Sequence, residues 1–197
     1  YNGTNDIGNG FSAGATLTNL GTKIGYTTDA TQKDFIPANL GLGVAYTKAF
    51  DEANKITFAL DLNKLLVPTP PKLGTGTDSA TIANNNSALL KYRDRGVASS
   101  WLKSFGEGDG INEEIQEITA AIGAEYWYNN QFGFRAGYFY ENANKGNRKY
   151  FTVGASIKYN VATLNFSYLF PSGNGINRNP LSNTYRFGLV FDFPGGK

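Results

Sequence analysis

Apolar and polar residues alternate strictly in about eight separate segments of roughly ten residues, and a period of two is the signature of half-buried strands. In residues 9–18, Phe11, Ala13, Ala15 and Leu17 oppose Ser12, Gly14, Thr16 and Thr18. In 131–141, Phe132, Phe134, Ala136, Tyr138 and Tyr140 oppose Gln131, Gly133, Arg135, Gly137 and Glu141. The same pattern fills 38–50, 55–66, 118–128, 150–159, 162–170 and 184–193. Each segment is close to the length of about 9–11 residues that crosses a bilayer as a tilted strand. The expected fold is therefore all-β, a transmembrane antiparallel up-and-down β-barrel.

The connections support that expectation by their lengths. Residues 51–54, 129–130 and 160–161 are tight turns, whereas 19–37, 67–117, 142–149 and 171–183 are longer. Outer-membrane barrels show this asymmetry, with short periplasmic turns and long outer loops. Aromatic residues fall at both ends of the strands. Tyr126, Tyr128, Phe132, Phe134, Tyr159, Phe191 and Phe193 stand beside short turns, and Tyr138, Tyr140, Phe151, Tyr168, Phe170, Tyr185 and Phe187 lie toward the long loops. Two such belts around a band of small aliphatic residues suit a bilayer interface. A soluble β-sandwich also alternates, but it needs neither matched belts nor alternating loop lengths.

Composition narrows the chemistry. The chain of 197 residues has no Cys, no Met and no His. There is thus no disulfide, no thiolate and no imidazole base or metal ligand. Charged residues are 17% and the formal net charge is +2, which gives no reason to expect nucleic acid. No stretch approaches the roughly 20 apolar residues of a membrane helix. The opening residues are polar and show no signal peptide, so the chain reads as mature or truncated.

Residues 67–117 are the one long irregular stretch. Pro68, Pro70 and Pro71 exclude a paired strand, and 74–87, rich in Gly, Thr, Asn and Ser, reads as a mobile loop. Beyond it, Leu90, Val97, Trp101 and Phe105 recur at helical spacing and suggest a short amphipathic helix. Ile111, Ile115, Ile118 and Ile122 do the same but run into a strand. Val97, Trp101 and Phe105 are the candidate partner-binding residues, since aromatic anchors dominate interfaces. The alternative has Trp101 and Phe105 packing on the chain's own loops.

The polar face carries Asp61, Asn63, Glu125, Arg135, Glu141, Lys158, Arg186 and Asp192. A polar interior cross-linked by ion pairs is the ordinary reading, a selective lumen the functional one. Matching Tyr128 to Phe132 across a turn at 129–131 sets Glu125 opposite Arg135, an expected cross-strand ion pair. No catalytic constellation, metal site or cofactor motif emerges. Residues 106–110 lack the alternating oxygen ligands of a calcium loop, and Gly41-Leu42-Gly43 leads into no helix, so it is no dinucleotide fingerprint.

Several runs carry a family resemblance. Residues Gly10 to Gly21, Ala124-Glu125-Tyr126-Trp127-Tyr128-Asn129-Asn130-Gln131-Phe132, Arg135-Ala136-Gly137-Tyr138-Phe139, Glu141-Asn142 and Lys145 to Gly154 resemble the PorV (LptO) family of Bacteroidota. These are outer-membrane proteins of the type IX secretion system. The resemblance implies a fourteen-stranded, FadL-like barrel, of which residues 1–197 would be the C-terminal part. It also implies binding to the C-terminal domains of secreted cargo, association with a Sov/SprA-type translocon barrel, and delivery to a surface attachment complex. Outer-membrane lipids would surround it. It implies no catalytic residue and no cofactor. The alternative function is FadL-like transport of hydrophobic small molecules.

Overall fold

In a computed structural model of the chain, the described residues are 2–4, 8–25, 32–106, 111–172 and 183–193. They form one nine-stranded sheet whose strands lie side by side in sequence order. The strands are β1 (Asn2–Thr4), β2 (Gly10–Thr18), β3 (Asn39–Ala49), β4 (Asn54–Leu65), β5 (Ile118–Tyr128), β6 (Phe132–Tyr140), β7 (Lys149–Tyr159), β8 (Ala162–Pro171) and β9 (Thr184–Phe191). This is the antiparallel up-and-down order of a β-barrel, in a sheet that does not close on itself. Every alternating segment is a strand, with ends within two residues of those read from the periodicity. β1 is an addition: it pairs with β2 through Asn2 and Ser12, Gly3 and Phe11, and Thr4 and Gly10. β9 pairs with β8 and not with β2.

Tight turns are built by asparagines that tolerate positive φ. Asn129 (φ 51°) and Asn130 (φ 53°) join β5 to β6, and Asn160 (φ 52°) joins β7 to β8. Short polar side chains make this left-handed conformation accessible, and successive positive-φ residues match the twist of a hairpin. The Asn129 N–H donates to the Ala53 carbonyl at 2.6 Å, tying two neighbouring short turns together.

The chain divides into two compact units. One comprises 1–15, 42–62 and 119–197; the other comprises 16–41 and 63–118. In the first, apolar residues point away from any protein core. Phe58, Leu60, Phe132, Phe134, Val153, Leu164 and Leu189 are exposed, and Phe187 is 75% exposed. Tyr138, Phe151, Phe170, Tyr168, Tyr185, Phe166 and Phe187 form an unbroken chain of ring contacts, with centroids 4.5–6.0 Å apart. A soluble sandwich would bury this face. Here it is exposed.

The second unit differs most from the expectation. The stretch 74–87 is not simply a loop, because α1 spans Ser79–Asp94 and is followed by α2 (Val97–Lys103) and α3 (Ile111–Gln116). Asp78 caps α1 by accepting a hydrogen bond from the Thr81 N–H at 2.9 Å, which satisfies one orphan donor of the first turn. α1 has no buried residue, so its sequence shows no apolar stripe. Leu90 belongs to α1 and not to the helix of Val97. Ile111 and Ile115 lie on α3, while Ile118 and Ile122 lie on β5; their helical spacing breaks at the junction. Residues 107–110 of the glycine-rich loop, 173–182 of the last long loop and 194–197 lie outside the described residues.

Candidate functional site

The polar face of β5–β8 carries a cross-strand ladder of side chains. Glu125 on β5 lies opposite Arg135 on β6. The Arg135 Nε donates to the Glu125 carboxylate, and its Nη1 donates to Ser156 on β7. Nη1 also lies 3.3 Å from Asn165 Oδ1 on β8, and the Ser156 hydroxyl donates to the same oxygen at 2.6 Å. Trp127 Nε1 donates to Glu125 at 2.6 Å while the guanidinium sits 5.5 Å from the indole centroid. One arginine thus joins four strands. Its planar fork of donors makes such branching available to arginine and not to lysine.

Glycines allow close approach on this face, of the Trp127 ring at Gly133 and of a neighbouring strand's backbone at Gly154. A Cβ on Gly133 would lie 3.1 Å from the Trp127 ring, and one on Gly154 would lie 3.0 Å from the Phe166 carbonyl. Above the ladder, a recess of about 440 Å³ is lined by Asp61, Gly123, Gly137, Phe139, Tyr150 and Thr152, among others. Asp61, Glu125 and Arg135 bring charge to the recess, and the rings of Phe139 and Tyr150 stack 4.8 Å apart beside it. Among the described residues no group of acidic side chains is placed to hold a metal ion.

A second polar device closes the β6–β7 connection. Arg148 Nη2 and Nε donate to the two oxygens of Glu141 at 2.7 and 2.8 Å, and the Arg148 N–H adds a third bond at 3.1 Å. Glu141 is buried. Burial pushes its carboxyl up, but the hydrogen bonds and charge of Arg148 outweigh burial and hold it below its ordinary value. A carboxyl with a lowered pKa in the folded state contributes stability present above the unfolded value. That stability is lost as pH falls through the folded value. Amide protection across 142–147 should therefore hold from neutral pH to roughly pH 5 and decline at lower pH. Hydrogen exchange on the wild type and Glu141→Gln measures this. Protection independent of pH in the wild type would remove the clamp from the loop's stability.

In the second unit, the candidate partner-binding residues separate. Val97 opens α2 and Trp101 lies within it, both half-buried, whereas Phe105 lies beyond the helix and is exposed. Leu102, which sequence reading passes over, is the most exposed of the group at 79%. Lys64 near the end of β4 is also absent from the sequence reading. Its ammonium lies 2.8 Å from Glu114 and 2.6 Å from Glu117, with the Phe105 ring centroid 5.6 Å away. A second lysine, Lys23, donates to the Arg93 and Arg95 carbonyls at the C-terminal end of α1, where the helix dipole favours a cation.

Residues 2–72 match the family described as Type IX secretion system protein PorV, the family that the sequence resembles. No curated protein matches the chain. Among the described residues no helix is long and apolar enough to cross a membrane, which says nothing against a β-barrel.

Proposed function

We propose, from PorV-family sequence over residues 2–72, that this chain is an outer-membrane component of the type IX secretion system. In this reading residues 1–197 are one part of a lipid-embedded barrel. It binds the C-terminal domain of secreted cargo at a Sov/SprA-type translocon and passes it to the surface attachment complex. The observation that carries the membrane placement is the exposed apolar face of the sheet, with Phe187 at 75% and Tyr185 at 63%. Such a face is stable only against lipid or another apolar surface. Secretion rather than small-molecule transport is favoured by the family match.

Val97, Trp101 and Phe105 are the proposed partner contacts, and Glu125 with Arg135 is a structural cross-link of the lumen. Purification from the native outer membrane in mild detergent tests the function. Cargo C-terminal domains or a giant barrel should be recovered with the protein, and Trp101→Ala should reduce their recovery roughly tenfold with barrel melting unchanged. Bound fatty acid without protein partners would favour the FadL-like transporter. Lower melting with recovery intact would place Trp101 in internal packing.

A further inference from the structure

The recess above the Glu125–Arg135 ladder has an aromatic wall on a face that is otherwise polar. On β6 and β7, Phe132, Phe134, Tyr138, Tyr140, Phe151 and Tyr159 fall on the apolar face by alternation. Phe139 and Tyr150 fall on the polar one. They are partners in register, and their rings stack 4.8 Å apart at an interplanar angle of 11°. Beside them the floor is close to bare backbone, because Gly123, Gly137 and Thr152 stand side by side on β5, β6 and β7. A Cβ on Gly137 would lie 3.0 Å from the Thr152 hydroxyl.

Three charged side chains line the recess: Asp61, Glu125 and Arg135. Glu125 and Arg135 offset each other, since the guanidinium donates to that carboxylate and also meets Ser156 and Asn165. Asp61 on β4 is left over. It is exposed, and among the described residues it has no hydrogen bond or ion pair. Its carboxylate lies over Gly43 of β3, in a position that a Cβ on that residue would exclude. Arg148 also approaches the Phe139 ring, at 5.8 Å, but Glu141 offsets its charge. The recess therefore keeps one uncompensated negative charge. A lone carboxylate on a polar face is ordinary by itself. Here it shares a space of about 440 Å³ with stacked rings, and both attract a cation, the carboxylate by its charge and the rings by their quadrupole.

We propose that this recess binds an organic cation, an ammonium or guanidinium group on a short hydrocarbon stem. Asp61 meets the charge, Phe139 and Tyr150 flank the stem, and the glycine floor lets the stem lie flat. The cation is that of a free amine or of a lysine or arginine side chain in a peptide. The site needs only β3 to β7 and goes beyond the secretion reading.

Amide NMR of the full chain in an uncharged detergent tests this. The probes are butylammonium, a capped tripeptide with lysine between two alanines, and butanol as the uncharged control. Either cation should shift the amides of Gly123, Gly137 and Tyr150, and added salt should weaken the effect. Asp61→Asn should weaken binding about fivefold, and Phe139→Leu about threefold. Asp94→Asn removes an exposed carboxylate at the end of α1 and should leave binding unchanged. Tighter binding of the peptide assigns the cation to a protein chain, and tighter binding of butylammonium to a small amine; both support the site. Butanol shifting the same amides as strongly would mean an apolar cleft without charge recognition and would overturn the proposal. So would the absence of shifts with both cations, or wild-type affinity in Asp61→Asn. Phe139→Leu keeps the test open should Asp61→Asn fail to fold, and wild-type affinity there overturns the proposal equally.

Discussion

Replacing Lys64 by alanine is expected to release the segment around α3 from the end of β4, at a cost of about 3–5 kcal/mol. The lysine side chain is 8% exposed, and its two partners, Glu114 and Glu117, are 21% and 16% exposed. Taking away the cation leaves two carboxylates close together in a space that water reaches poorly, so repulsion and lost hydrogen bonds add to the packing defect. Hydrogen exchange over 111–117 and the melting temperature of the detergent-solubilised protein measure the loss. The compensated variant, Lys64→Met with Glu114→Gln and Glu117→Gln, removes all three charges and should recover most of the stability. Equal melting of Lys64→Ala and the wild type would mean that this cluster holds nothing in place.

An arginine on the apolar face should be nearly as costly. Val153 lies near the middle of β7 and is exposed. In the membrane-embedded barrel proposed above, Val153→Arg should cost about 2–4 kcal/mol, because a lipid-facing guanidinium loses its hydration at the membrane midplane. The neighbouring Thr152→Arg is at almost the same depth but on the other face. There it enters the recess that Asp61 and Glu125 also line, opposite Gly137, which leaves it room. It should be close to neutral. Folding into vesicles followed by urea unfolding compares the two. If both variants lose equal stability, or neither does, the two faces do not differ in their surroundings.

These two sites show what could be read from the chain and what could not. Val153 and Thr152 belong to a strand whose period of two is written in its own ten residues. For the same reason the strand ends and the register setting Glu125 opposite Arg135 were legible. Lys64 was not, because its partners are 50 and 53 residues away, and a lysine near a strand end ordinarily reaches into water. The helix α1 was missed for a different reason. It exposes most of its surface and has no buried residue, so no apolar stripe marks it, and its asparagines and serines resemble a loop. A signal was present: Asp78 as cap and no Gly or Pro from Thr77 to Arg95. Glu141 stood out as a polar-face carboxylate, but its partner Arg148 lies beyond a turn through Gly146 (φ 138°). That conformation cannot be inferred from alternation.

Water and lipid accessibility along β7 tests most directly whether this sheet faces lipid. Single cysteines are placed in turn at positions 151 to 158 of the cysteine-free chain, and the protein is reconstituted into vesicles. Cysteines replacing Phe151, Val153, Ala155 and Ile157 should be quenched by a lipid-borne probe and protected from an aqueous thiol reagent. Those replacing Thr152, Gly154, Ser156 and Lys158 should show the reverse. A strict alternation of the two signals is the expected result. Uniform reaction with the aqueous reagent, or alternation in the opposite phase, would contradict a membrane-embedded sheet with its apolar residues outward.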